Sequence, residues 1–109
     1  MIRILIERTN NMISSFTMEG HADFAEKGQD IVCAGVSAVA FGSVNAVMAL
    51  TGVEPEIEQT ESGFLKCSIP EQLEKETSSQ VQLLLDGMVV SLQTIEREYG
   101  EYLKLTYKK

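Results

Sequence analysis

Asp30-Ile31-Val32-Cys33-Ala34-Gly35-Val36-Ser37 opens the longest uncharged run of the chain, which extends from Ile31 to Leu50. Its Ala, Val and Gly content predicts a buried helix over about residues 30–51. Asp30 is placed as the N-cap, since an Asp side chain accepts hydrogen bonds from the unpaired N–H groups of a first turn. Gly52 suits the C′ position, where glycine takes the left-handed conformation without strain. The run has the length of a membrane span. Ser37, Ser43, Asn45, Gly35 and Gly42, with no basic flank and no aromatic belt, point instead to a helix packed against a sheet or a second helix.

Strand patterns precede this helix. Ile2, Ile4 and Ile6 alternate with Arg3 and Glu7, which predicts a half-buried strand over 2–8. Thr9-Asn10-Asn11 is turn chemistry, because Asn tolerates positive φ. A second strand follows over 12–19, with Met12, Phe16 and Met18 on one parity and Ser15, Thr17 and Glu19 on the other. His21 either continues the second parity or lies beyond a bend at Gly20. Asp23 to Gln29 reads as a long polar loop.

Beyond the helix, strands are expected near 56–60 and over 64–69, joined by a turn at Glu61-Ser62-Gly63. Leu65, Cys67 and Ile69 share a face of the latter strand. Pro70 is expected to begin a second helix. Val81, Leu84, Leu85, Met88, Leu92 and Ile95 recur at helical spacing down to Gly100. Leu103, Leu105 and Tyr107 alternate as a last strand. The order ββαββαβ predicts one α/β domain over 1–109, a small two-layer sandwich with a mixed or antiparallel sheet and two helices.

Composition narrows the function. The 109 residues carry a net charge of −7, so the average field repels a phosphate backbone and attracts a basic partner. No direct nucleic-acid or membrane binding is expected. The first residues lack the pattern of a secretory signal, so the two cysteines are expected as reduced thiols in the cytoplasm. Two cysteines and one histidine do not supply a four-ligand structural zinc site without carboxylates or a second subunit. The glycines at 28, 35 and 42 have neither P-loop nor dinucleotide spacing, and no cofactor is expected.

The chemistry gathers around the organising helix. With Asp30 as N-cap, Cys33 is the third helical residue, where the positive end of the macrodipole favours thiolate. His21, the only histidine, is separated from it by 11 residues that include the loop. That spacing permits a Cys/His nucleophile pair and equally permits separation. Asp30 is either a cap alone, or a residue that orients His21 or holds substrate. Ser37 follows Cys33 by four residues and shares its helix face, as a hydrogen-bond donor or a packing residue. Cys67 reads as a buried structural thiol. Glu54, Glu56, Glu58 and Glu61 read as a solvated strand edge that resists aggregation.

Gly20-His21-Ala22, Gly28, Asp30-Ile31-Val32-Cys33-Ala34 and Ser37 together resemble the motif of the ribosomal-processing cysteine protease family (Prp). The resemblance implies a cytoplasmic homodimer that removes a short N-terminal extension from protein twenty-seven of the large ribosomal subunit. It implies cleavage after Phe and before Ala in a short hydrophobic motif. The family's catalytic histidine falls on His21 and its nucleophile on Cys33, with Gly20, Asp30 and Ser37 at further motif positions assigned to substrate binding. Gly35 departs from an expected Ala. The 23–29 loop would then close over the peptide. The competing reading is a non-enzymatic ribosome-associated module with a structural Cys33, and a further one is an acyltransferase using the same pair. A protease requires Cys33 to alkylate rapidly; a binding module does not.

Overall fold

The structure is a computed structural model and describes residues 1–20, 29–60 and 64–109. The elements follow in the order β1 (Ile2–Thr9), β2 (Met12–Glu19), α1 (Gln29–Thr51), β3 (Glu56–Thr60), β4 (Phe64–Ser68), α2 (Lys75–Tyr99) and β5 (Leu103–Lys108). The strands form one mixed sheet in the order β3-β4-β2-β1-β5. All pairs are antiparallel except β1–β5, which is parallel. The parallel pair follows from α2, whose length carries the chain back before β5 begins.

One sheet face is apolar. Ile2, Ile4, Ile6, Phe16, Leu65, Cys67, Leu103 and Leu105 are buried there. The two helices cover it with Val32, Val36, Ala40, Val44 and Val47 from α1, and Val81, Leu85, Met88 and Leu92 from α2. The other face is wet and carries Arg3, Lys66 and Lys104. Asn10 and Asn11, at φ 54° and 66°, make the β1–β2 turn, the geometry that matches the twist of a tight hairpin.

Three expectations change. Glu7 pairs with Ser15 but Arg8 pairs with Ile13, so Ser14 is an extra residue in β2. This bulge reverses the parity at the strand's start. Ile13 is buried, and Met12, expected on the core face, is exposed. Gln82 on α2 holds the bulge: Ile13 N–H donates to its Oε1 at 2.7 Å, and its Nε2 donates to the Ile13 carbonyl at 2.9 Å.

Pro70 does not begin α2, which starts at Lys75. Ile69 N–H still donates to the Ser14 carbonyl at 2.9 Å, so the chain is held at the sheet up to the proline. Residues 70–74 then cross to the helical layer, with Leu73 packed against the core.

Helix α1 begins at Gln29 rather than after a cap at Asp30. Asp30 is the second helical residue and so does not stand at the capping position. The C-terminal expectation holds. Gly52 has φ 75° and its N–H donates to the Met48 carbonyl at 3.0 Å, which is the left-handed glycine stop. Of the loop expected over 23–29, Gln29 is helical and the rest lies outside the described residues, as does the turn Glu61-Ser62-Gly63.

Candidate active site

The amino-terminal half of α1 lies over one end of the sheet. β1 starts there, β2 ends there, β3 ends there and β4 starts there. This arrangement follows from the antiparallel β1–β2–β4–β3 run, which brings Ile2, Met18, Thr60 and Phe64 to a common end. Between this end and α1 is a cavity of about 310 Å³, lined by Ile2, Met18, Cys33, Val36, Ser37, Phe41, Gln59, Thr60, Phe64 and Leu65. Its volume is at the lower end of the range for small-molecule pockets, and its lining is mainly apolar.

Cys33 is half-buried at this cavity, and neither cysteine is in a disulfide. Ser37 lines the same cavity one turn further along, as the four-residue spacing requires. Phe41 completes the face at the next turn. Because α1 starts at Gln29, Cys33 is the fifth helical residue and not the third. Cys33 therefore lies beyond the first turn, over which the macrodipole acts most strongly. The first four N–H groups of an α-helix have no intrahelical partner. Among the described residues these are the N–H groups of residues 29–31, in the turn before the thiol.

Cys67 provides the contrast. It is 1% exposed on the core face of β4, and burial pushes its thiol up to about 11. A thiol so placed stays protonated at neutral pH and is not a nucleophile.

Gly20 ends β2 with φ 94°. A Cβ on it would run into the Met1 carbonyl oxygen. Glycine is therefore required by the backbone path at the point where the chain leaves the sheet. His21 follows directly in sequence and lies outside the described residues, so the expected pairing with Cys33 has no distance attached. Asp30 is placed by its helical backbone on the turn before Cys33 and Ala34.

The sequence singled out Cys33 and Ser37 but not the strand-end residues around them. Ile2, Met18, Gln59, Thr60 and Phe64 carry no motif. Phe41 carried a signal, since 33, 37 and 41 repeat at one-turn spacing.

A half-buried thiol bordering an apolar cavity, one turn beyond helix N–H groups that have no intrahelical partner, is the equipment of a thiol-dependent acyl-transfer enzyme. The comparisons with known proteins define the class further. The profile of the family described as "Cysteine protease Prp" matches residues 1–104. A ribosomal processing cysteine protease Prp of Bacillus subtilis (strain 168) is 51% identical over 108 residues, covering 97% of this chain and 96% of that protein. One of Staphylococcus aureus (strain Mu50) is 47% identical over 98 residues, covering 88% of each. The crystal structure of the S. aureus protease in complex with a substrate peptide superposes with a TM-score of 0.89 at 42% identity. It covers 99% of this chain and 100% of that one. The same protease with a covalently linked product peptide gives a TM-score of 0.84 at 44% identity, with the same coverage.

The chain belongs to the ribosomal processing cysteine proteases Prp and is a cysteine protease. The non-enzymatic module and the acyltransferase are thereby set aside.

Proposed function

We propose that this protease removes an N-terminal extension from protein twenty-seven of the large ribosomal subunit. It cuts after Phe and before Ala in a short hydrophobic motif. The observation that carries this reading is the cavity itself: Cys33 borders an apolar space bounded by Ile2, Met18, Val36, Phe41 and Leu65, suited to an aromatic side chain next to the scissile bond. The net charge of −7 suits a basic ribosomal tail.

In the proposed reaction the Cys33 thiolate attacks the scissile carbonyl carbon. A C–S bond forms, and the carbonyl electrons move to oxygen. N–H groups at the start of α1 stabilise that oxyanion. When the tetrahedral intermediate collapses, the C–N bond breaks. His21, having taken the thiol proton, gives it to the departing amine. Water, with His21 now as base, then hydrolyses the thioester and restores the thiol. Ser37 donates a hydrogen bond to the peptide, and Gly20 and Asp30 contribute to its seat. The covalently linked product peptide on the S. aureus protease is what a thiol nucleophile produces.

The enzyme acts in the cytoplasm as a homodimer in this reading. Support for pairing comes from α1, where Ile31, Ala34, Ala38 and Leu50 are exposed and no residue from Ile31 to Thr51 is charged. Ile31 is 67% and Leu50 71% exposed, an apolar surface of the kind that marks an interface.

The test is incubation of the protein and of Cys33→Ala with a hydrophobic Phe-Ala peptide, with products read by mass. Cleavage after Phe by the unsubstituted protein alone is expected. Cleavage by both removes Cys33 as nucleophile. No cleavage by either, with Cys33 readily alkylated, rejects the assigned cleavage motif.

A further inference from the structure

The two edges of the sheet are finished differently. At the β5 edge the Leu105 N–H donates to Glu96 Oε2 at 2.7 Å, so α2 supplies a cap. At the other edge β3 is outermost among the described residues, and all five of its residues are exposed. An edge strand turns the N–H and C=O groups of alternate residues outward, a template for a further strand.

The register gives this edge two distinct sides. Ile57 pairs with Cys67 and Gln59 with Leu65, so both lie on the helical face. Glu56 and Glu58, opposite Ser68 and Lys66, lie on the wet face. Ile57 is 43% exposed despite facing the core side. The strand runs directly into the cavity, since Gln59 and Thr60 line it together with Cys33.

We propose that the β3 edge receives the substrate as an added strand. An extended basic peptide pairs along Glu56–Thr60 and delivers an apolar side chain into the Cys33 cavity at the Thr60 end. Alternate side chains of an extended peptide point to opposite faces. One set passes over Ile57 toward the cavity, and the other meets Glu56 and Glu58. Five residues give about 17 Å of edge, enough to hold several residues beside the scissile bond. Charge selects this occupant over a second copy of the chain, because pairing two β3 edges would set glutamates against glutamates. The inference rests on the proposed reading of a basic tail as substrate.

The test uses Cys33→Ala and a Phe-Ala peptide carrying two lysines, with its glutamine counterpart and a series N-methylated at one amide at a time. Amide exchange at residues 56–60 is expected to slow on binding. N-methylation is expected to weaken binding about tenfold at every second amide and little between, the cost of a lost backbone hydrogen bond. Glu58→Lys is expected to weaken the lysine peptide about threefold and leave the glutamine peptide unchanged, the scale of an exposed charge pair. Should Cys33→Ala fail to fold, the unsubstituted protein with a peptide reduced at the scissile amide gives the same readout.

Binding without protection of 56–60, binding without two-residue periodicity, or no binding overturns the inference. So does protection of 56–60 that needs no peptide and grows with protein concentration, which assigns the edge to a second copy. Cleavage after Phe without periodicity overturns the added strand and leaves the cleavage reading intact. Periodic binding without cleavage by the unsubstituted protein does the reverse.

Discussion

Cys33 and Ser37 stand one turn apart on α1 and line the same cavity, so a change at Ser37 alters the space beside the thiol without touching the thiol itself. Ser37→Ala removes only a hydroxyl and is expected to leave folding intact while raising KM severalfold. Ser37→Leu fills the space instead. It is expected to lower kcat/KM on a Phe-Ala peptide more than about tenfold, because small displacements at a reacting centre are costly. Steady-state kinetics beside an alkylation rate for Cys33 check this. A cavity that does not hold the substrate side chain would leave both variants near normal.

The two thiols should separate cleanly toward an alkylating reagent. Cys33 is half-buried at the cavity, whereas Cys67 is 1% exposed with its thiol pushed up to about 11 by burial. At pH 8 the Cys33 site is expected to react at least about tenfold faster, since thiolate and access both set the rate. Peptide mapping of partially alkylated protein reads the ratio. Equal rates would place Cys67 outside the core.

The same burial makes a stability prediction. The folded protein holds the Cys67 proton more tightly than the unfolded chain, with the thiol raised from 9.0 to about 11. The stabilisation is therefore complete below about pH 9 and is lost as pH rises toward 11. The urea midpoint of the unsubstituted protein is expected to fall across that window more steeply than that of Cys67→Ala. Tyrosine and lysine titrations cancel in the comparison. Parallel curves would refute the assignment.

Gln82 ties α2 to the β2 bulge through both ends of its amide. Gln82→Ala leaves the Ile13 N–H and carbonyl without these partners in a part-buried position. The expected loss is about 1–3 kcal/mol, measured by urea unfolding. Gln82→Glu retains the acceptor for the Ile13 N–H but loses the amide donor, and is expected to fall between the two.

These relationships explain which parts of the molecule were legible in the sequence. Alternation placed Ile2, Ile4 and Ile6, and Leu65 and Cys67, on the core face, because a strand's parity is local. The Met12 parity was not legible. It depends on an extra residue at Ser14 whose position is fixed by Gln82, 69 residues away from Ile13. Pro70 fits a helix start locally, but the crossing between layers occupies residues 70–74 and the helix waits until Lys75. At the site, helical spacing linked Cys33 to Ser37. Ile2, Met18, Thr60 and Phe64 join them only through the order of strands in the sheet, which no local pattern encodes. The start of α1 is not legible locally, because Asp is a good cap and an acceptable first-turn residue alike.

Gly20 and Gly35 should respond to alanine with opposite signs. Gly20 has φ 94°, where an L side chain is strained, and its Cβ would strike the Met1 carbonyl oxygen. Gly20→Ala is expected to cost about 2 kcal/mol or more, combining left-handed strain with the clash. It also displaces the chain where it leaves β2 for His21, so kcat should fall with stability. Gly35 lies inside α1, and the nearest heavy atom to an added Cβ is Ile95 Cδ1 at 4.0 Å, an ordinary contact. Gly35→Ala is expected to stabilise by about 0.5–1 kcal/mol, chiefly by restricting the unfolded chain and favouring the helix. Its activity should be unchanged. Thermal unfolding of both variants, with Gly35→Ala melting several degrees above and Gly20→Ala below the unsubstituted protein, checks the pair. A stabilised Gly20→Ala would mean that the β2 exit does not pass against Met1.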